Sequence, residues 1–452
     1  MPGIISNLIP SSPSAITLRR LLVENSEIVC FTMRNARKNC WFWCLALGLL
    51  ISASGCHRYL VATPNIMRHQ DAKQIYAACP ADCQTSEAAV LYATDRNIID
   101  NSKATPTYGH GRETTLAFGV AKVSLDPNPS WKELVENSTV AKRSRAYELK
   151  LASVHPAGRF DDAIQPSAIA QANVKAGGGE VNRLHELLRG RLAQTTHKDV
   201  LIFIHGYNNS FDDSVFRAAE VWHFMGRVGV PVAYSWPAGY GGVRGYAYDR
   251  ESGEYTVTHL RRFIQAVADC PDVERVHLVA HSRGCDLAVT ALRELNLELT
   301  AQRKSTQQEL KLENLVLAAP DLDEGIFAQR VIAENLLQAA RRTTIYFSPN
   351  DRPIQAAAVL FASHRLGNLG AKELSPELKA TLGKMPNVQF IECKVSGFSR
   401  CHNYAFTHPA ALSDLILVLR DRREPGLAHG RPLRPLAEGT WELPEDYLAR
   451  TK

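Results

Sequence analysis

Short apolar segments alternate with amphipathic segments from about residue 200 to residue 420. Between two of the apolar segments, Val257, Leu260, Ile264 and Val267 recur at the spacing of one helical face. Near-continuous apolar strands that alternate with helices are typical of a mostly parallel sheet that is buried on both faces. The pattern predicts an α/β fold, with helices on both faces of a central sheet. The apolar segments are residues 200–206, 232–236, 276–282, 315–321, 343–351 and 388–395.

The flanking regions show a weaker pattern. Residues 90–97 and 114–125 alternate apolar and polar positions, which predicts two strands that lead into the sheet. Residues 56–87 are polar and interrupted, and we interpret them as a linker. Residues 421–452 are rich in Pro, Gly and Arg, which predicts an exposed C-terminal extension. The expected main domain is therefore residues 88–420.

The N-terminal region has the organisation of a secretory signal over residues 33–55. Basic residues precede an apolar stretch of roughly a dozen residues, which is shorter than the ~20 that a membrane span needs. The sequence Ala-Ser-Gly-Cys at 53–56 resembles a bacterial lipobox with Cys56 as the lipidated residue, although Ala53 stands where Leu is usual. We predict that residues 1–55 are a leader, that its signal peptide is residues 33–55 and that translation begins at Met33. The rest of the protein is expected to be exported and anchored in the cell envelope by lipid. The alternative is a short membrane anchor that is not cleaved.

Composition and charge narrow the function classes. The chain has 452 residues, of which 45% are hydrophobic and 22% charged, so it is globular in composition. A formal net charge of +6 falls short of the concentrated basic field of nucleic-acid-binding proteins. The sequence contains no His-Glu-x-x-His or recurring Cys-x-x-Cys pattern, so neither a metal nor another cofactor is expected.

A candidate nucleophile lies at a junction between a strand and a helix. The apolar segment 276–280 continues into His281 and Ser282, and a helical pattern begins directly afterwards. Ala280 stands two residues before the serine and Gly284 two residues after it, which leaves room for a sharp turn that exposes the hydroxyl group. Ser282 is therefore the predicted nucleophile.

A second turn, 76 residues upstream, supplies a candidate oxyanion hole. The strand at 200–204 ends in His205, Gly206 and Tyr207, and a turn of this kind can direct a backbone N–H toward the serine. The backbone N–H groups of Tyr207 and Arg283 are the predicted oxyanion donors. His205 is expected to be structural.

These motifs resemble the α/β-hydrolase superfamily. The His-Gly-Tyr-Asn turn, the Tyr-Ser-Trp-Pro string at 234–237, the Ala-His-Ser-x-Gly elbow and the Ala-Ala-Pro-Asp string at 318–321 are similar to its bacterial DUF900 branch. The Ala-Thr-Asp-Arg string at 93–96 also resembles that branch, so the resemblance covers roughly residues 88–420. It implies a hydrolase fold and hydrolytic chemistry, and little about the substrate.

The resemblance also implies the positions of the acid and the base. In this fold the chain order is nucleophile, acid, histidine. Asp351 follows the strand at 343–347 and is the preferred acid, with Asp321 and Asp323 after the preceding strand as alternatives. His402 lies in the loop after the last predicted strand and is the preferred base, in place of His408.

The predicted function is a serine hydrolase that cleaves carboxylic esters through an acyl-enzyme. The substrate would be a small-molecule or lipid ester, and no nucleic-acid partner is expected. An amidase or thioesterase would use the same triad. A protein that retains the fold and only binds is the alternative from outside the enzymes.

Overall fold

A computed structural model describes residues 59–69, 72–100, 105–160, 178–370, 380–394, 402–437 and 439–449. The predicted leader and the predicted lipidation site at Cys56 lie outside these residues. Within the described ranges, no helix is both long and apolar enough to span a membrane.

The described strands form one 11-stranded sheet in the order β10-β11-β9-β8-β7-β6-β4-β5-β1-β2-β3. Pairing is parallel from β1 through β5, β4, β6, β7, β8 and β9 to β11, and antiparallel at both edges, where β2, β3 and β10 lie. The mostly parallel sheet confirms the predicted fold class. The strands are β1 Ala88–Asp100, β2 Thr107–Asp126, β3 Glu148–Phe160, β4 Asp199–Ile204, β5 Val230–Ser235, β6 Arg275–His281, β7 Leu312–Ala318, β8 Arg342–Phe347, β9 Val388–Cys393, β10 Arg434–Ala437 and β11 Thr440–Leu443.

Helices connect the parallel strands and cover the sheet. The helices are α1 Ala72–Ile75, α2 Trp131–Asn137, α3 Gly178–Leu192, α4 Phe211–Phe224, α5 Gly242–Ala268, α6 Arg283–Ala301, α7 Thr306–Glu309, α8 Glu324–Ile326, α9 Arg352–Leu360, α10 Tyr404–Thr407 and α11 Pro409–Leu419. A π-helix covers Phe327–Ile332, and short 3-10 helices cover Asn65–Arg68, Tyr76–Ala78, Ala81–Cys83, Leu336–Ala339, Leu366–Asn368 and Leu427–His429.

Two hydrophobic cores lie on opposite faces of the sheet. Along β4, Ile202 and Ile204 belong to the core that contains α3, α5 and α6, whereas Leu201 and Phe203 belong to the core that contains α4 and α11. Successive strand residues point to opposite faces, so a strand covered on both faces is apolar at every position. This is why the parallel strands were readable as continuous apolar segments.

The segment from residue 421 onward differs from the predicted exposed extension. Strand β11 pairs in parallel with β9, and β10 forms the outer edge. The Arg431 guanidinium is fully buried and bonds both carboxylate oxygens of Asp414 on α11 at 2.8 Å, and the Tyr447 hydroxyl donates to the same carboxylate at 2.6 Å. The segment is therefore an integral part of the sheet and of the core.

The segment interpreted as a linker also packs against the domain in its described part. Leu60, Met67 and Tyr76 are buried, and the Val61 N–H donates to the buried Glu220 carboxylate on α4 at 2.9 Å. Short 3-10 turns place single apolar side chains on the core without a repeating period, so the sequence pattern did not reveal them.

Candidate active site

Ser282 occupies a strained turn between β6 and α6. Its backbone angles are φ 53° and ψ −123°, a conformation that costs a non-glycine residue about 1–3 kcal/mol. The turn is held by the Ser282 N–H, which donates to the Ala318 carbonyl at 2.9 Å, and by the Cys285 N–H, which donates to the Ser282 carbonyl at 3.0 Å. The geometry is that of a nucleophile elbow, as the small residues on either side predict.

Two glycines let the elbow contact the turn at residues 205–209, the His-Gly turn. A Cβ atom on Gly284 would lie 2.3 Å from the His205 carbonyl oxygen. A Cβ atom on Gly206 would lie 2.6 Å from the Ser282 Cβ atom. A methyl group at either position would force its neighbours to shift, because proteins essentially never have Cβ contacts below 3.0 Å. The candidate oxyanion turn and the candidate nucleophile are thus in direct contact.

The two predicted oxyanion donors are available within the described part of the chain. The Tyr207 and Arg283 backbone N–H groups have no hydrogen-bond acceptor among the described residues. Arg283 is the first residue of α6, where backbone N–H groups have no partner within the helix and the helix dipole favours negative charge. Both N–H groups belong to segments that meet at Ser282.

A buried arginine holds the His-Gly turn in place. Arg96 is 1% exposed and donates to the carbonyls of Asn209 and Ala238, each at 2.7 Å, and to the Ser235 hydroxyl at 2.9 Å. It ties the end of β1 to the ends of β4 and β5. Arg96 belongs to the Ala-Thr-Asp-Arg string, but the sequence did not reveal its role, because these three partners lie more than 100 residues away.

His205 is structural, as the sequence predicts. Its ring stacks on Trp236 with a centroid distance of 5.0 Å, and the Trp236 indole N–H donates to the His205 carbonyl at 2.8 Å. Burial, followed by the neighbouring Arg96 guanidinium, lowers the pKa of His205 well below its usual value. A buried neutral ring of this kind stabilises the turn and does not act as a base.

Asp249 on α5 supports the same turn from its other side. Its carboxylate accepts the Asn208 N–H at 2.8 Å and the Gly239 N–H at 3.2 Å. Asn208 has a φ of 54°, a conformation that L-residues rarely adopt without local support. Burial raises the pKa of Asp249 to about 6 in spite of these two hydrogen bonds.

Asp351 and His402 form a buried pair. The Asp351 carboxylate lies at the N-terminus of α9, where one oxygen accepts the Ile354 N–H at 3.2 Å and the other lies 2.8 Å from His402 Nδ1. Asp351 is 0% exposed and His402 9% exposed. Burial acts to lower the pKa of His402, but the Asp351 charge and hydrogen bond outweigh it and raise that pKa above its usual value. This pairing directs the Nε2 atom of His402 away from the carboxylate.

The alternative residues have other partners. Asp321 lines a cavity together with Ser282 and His402, but its carboxylate accepts a hydrogen bond from the Tyr246 hydroxyl and lies 3.6 Å from Arg365 Nε. Asp323 caps helix α8 by accepting the Ile326 N–H at 2.9 Å. His408 caps α11 by accepting the Ala410 N–H at 3.2 Å. None of the three is hydrogen-bonded to His402 in the described residues.

Ser282 and His402 line one cavity. No hydrogen bond joins their side chains among the described residues, and serine–imidazole bonds commonly form only when a substrate is bound. Asn209, Asp213 and Arg217 bring polar groups to the cavity, which the sequence reasoning did not identify. Its full lining is Phe203, Tyr207, Asn209, Asp213, Arg217, Tyr246, His281, Ser282, Asp321, Pro353, Ile354, Ala357, His402 and Asn403.

Comparison with known proteins agrees with this architecture. A family model described as "Alpha/beta hydrolase of unknown function (DUF900)" matches residues 181–422, more than half of the chain. The matched range begins within α3 and includes β4 to β9, Ser282, Asp351 and His402, whereas β1 to β3, β10 and β11 lie outside it. A comparison with curated proteins finds no match. The chain belongs to the DUF900 family of α/β hydrolases.

Proposed function

We propose that the protein is a serine hydrolase that cleaves carboxylic esters through a covalent acyl-enzyme. The observation that carries this proposal is the buried Asp351–His402 hydrogen bond of 2.8 Å, whose histidine lines the same cavity as the elbow serine, Ser282. Nucleophile, base and acid follow one another in the chain order of α/β hydrolases. The order of the residues and the local geometry thus agree.

The proposed reaction starts when His402 accepts the Ser282 hydroxyl proton as the serine oxygen bonds to the ester carbonyl carbon. The tetrahedral intermediate then loses the alkoxide leaving group, which takes the proton from His402, and the acyl group stays on the serine. Water adds to the acyl-enzyme by the same steps, with His402 again as the base, and releases the carboxylic acid. Asp351 holds the imidazole tautomer and stabilises the imidazolium.

The Tyr207 and Arg283 N–H groups would stabilise the oxyanion of each tetrahedral intermediate. Loss of one such donor typically costs about 3–4 kcal/mol of activation free energy. Arg96 and Asp249 contribute indirectly, because they hold the His-Gly turn that carries the first donor.

The residues that line the cavity favour, as substrate, an ester with a compact acyl group. Tyr246 on α5 and Ile354 and Ala357 on α9 contribute aromatic and aliphatic groups to the lining. Asp213 and Arg217 on α4 contribute charged groups. A cavity with both kinds of lining suits a small ester with a polar part better than a long alkyl chain.

A labelling experiment with a fluorophosphonate probe tests the proposal. Wild-type protein should form a covalent adduct and hydrolyse at least one p-nitrophenyl ester in a series of increasing acyl length. The Ser282→Ala variant should lose both activities. Ser305→Ala is a matched control, because Ser305 is exposed and its side chain makes no capping hydrogen bond. A folded wild-type protein that neither reacts with the probe nor hydrolyses any ester would contradict the proposal.

We also propose that the protein is exported and lipid-anchored through Cys56, as the signal-like residues 33–55 predict. The full chain, expressed in bacteria with an alkyne-labelled fatty acid, should incorporate the label and separate with the membrane fraction. The Cys56→Ser variant should lose the label, and equal labelling of both proteins would refute lipidation at this residue.

A further inference from the structure

His281 lies between the candidate base and the His-Gly turn. It is the last residue of β6 and is 4% exposed. Its Nε2 lies 3.1 Å from the His402 carbonyl oxygen, and the two imidazole rings have a centroid distance of 4.7 Å. Phe406 packs edge-on against the His281 ring at 5.5 Å. The side chain is therefore fixed against the segment that carries the base.

The opposite side of the same ring contacts the His-Gly turn. A Cβ atom on Gly206 would lie 3.1 Å from His281 Nδ1, so the imidazole packs against the glycine backbone. His281 precedes Ser282 directly in the chain. One ring thus contacts the turn with the oxyanion donor and the segment with the base, and its backbone leads into the nucleophile.

The hydrogen bond defines the tautomer of His281. A carbonyl oxygen accepts only, so Nε2 carries the hydrogen atom and Nδ1 has none while the ring is neutral. Burial, followed by the neighbouring His402, lowers the pKa of His281 well below its usual value, and the nearby Arg217 and His205 act in the same direction. A neutral His281 leaves the proton chemistry to His402.

We propose that His281 is a positioning residue for ester hydrolysis, because its Nε2–H···O=C bond to His402 holds the base in line with Ser282. This inference depends on the proposed function. The His402 side chain is restrained at Nδ1 by Asp351 and its main chain is restrained by His281, so the ring is held at two points. Displacement of a catalytic group by 1 Å can cost about 100-fold in rate.

Two substitutions at His281 separate positioning from packing. His281→Leu fills much of the space but removes the donor, and it should lower kcat about 100-fold with little change in KM. His281→Gln places an amide N–H near the position of Nε2, and it should recover most of kcat, to within about tenfold of wild type.

The pH profile adds a readout that simple loss of stability would not change. In His281→Leu, a displaced His402 interacts less with Asp351, so the acidic limb of the kcat/KM profile should move to lower pH. In His281→Gln it should stay in place. His277→Leu is the matched control, because His277 is fully buried on the same strand, at its opposite end, and accepts a hydrogen bond from Asn314. It should lower Tm without a change in kcat or in the pH profile.

The outcomes distinguish the two proposals. If wild-type protein does not react with the fluorophosphonate probe, the proposed function fails. If the wild type is active and His281→Leu keeps wild-type kcat, or if Leu and Gln lose kcat equally with an unchanged pH profile, the positioning role is wrong and the ester hydrolase proposal stands.

Discussion

Asp351→Asn tests the proposed triad with little disturbance of the fold. The Asp351 carboxylate has two roles, because one oxygen caps α9 at the Ile354 N–H and the other accepts the His402 Nδ1–H. Asparagine caps helices about as well as aspartate. Its Oδ1 can therefore keep the cap, whereas its NH₂ group faces His402 as a donor.

The expected loss of activity follows from the tautomer of His402. An amide donor opposite Nδ1 favours the imidazole that carries its hydrogen on Nε2, and this form cannot accept the Ser282 proton. The corresponding aspartate-to-asparagine change in a serine protease triad lowers kcat about 10⁴-fold. At about 1.36 kcal/mol for each tenfold change, the barrier should rise by roughly 5.5 kcal/mol. The free energy of unfolding should change by about 1 kcal/mol or less, because the cap is kept.

The assay measures kcat for a p-nitrophenyl ester and the rate of fluorophosphonate labelling, with thermal unfolding as a check on the fold. Asp321→Asn is the matched control, because Asp321 lines the cavity but is not hydrogen-bonded to His402. It should keep kcat within about tenfold of wild type. If Asp351→Asn stays within tenfold and Asp321→Asn shows the large loss, Asp321 is the acid. If neither variant loses activity, the triad reasoning is refuted.

Three further predictions concern pH, the C-terminal segment and the elbow. Because Asp351 raises the pKa of His402, kcat/KM should fall at low pH with an inflection above about 6.5. A pH–rate profile whose inflection lies below about 6.5 would contradict this. Arg431→Met leaves the buried Asp414 carboxylate without its counter-ion, which should cost about 3–5 kcal/mol and lower Tm by about 3–5 °C in a chain of this size. Adding Asp414→Asn should restore part of the loss, and an unchanged Tm in the single variant would show that the pair is not important for stability. Gly284→Ala places a methyl group 2.3 Å from a backbone oxygen. It should therefore destabilise the protein by about 1–3 kcal/mol and slow its reaction with the fluorophosphonate probe. A variant with wild-type Tm and wild-type labelling would show that the elbow can relax.

The sequence alone determined the central sheet and the sharp turn at Ser282. The parallel strands β4 to β9 are buried on both faces, so each contains a mainly apolar segment that is visible without its neighbours. The Ser282 elbow was equally readable, because the small residues that it needs lie within two positions of the serine. The strands and the elbow are both specified by residues that are close together in the sequence.

Tertiary structure decided the features that depend on distant partners. Asp321 and Asp351 both follow apolar strands, and the selection of Asp351 as the partner of His402 depends on where a segment 51 residues further along returns to the sheet. Strand β10 is exposed along its whole length and contains a proline, so it shows no alternation that could predict a strand. The buried position of Arg431 was likewise not predictable, because a charge is stable in a core only beside its counter-ion, and that counter-ion, Asp414, belongs to a different element. Local patterns depend on neighbouring residues, whereas the pairing of buried polar groups depends on how the whole chain folds.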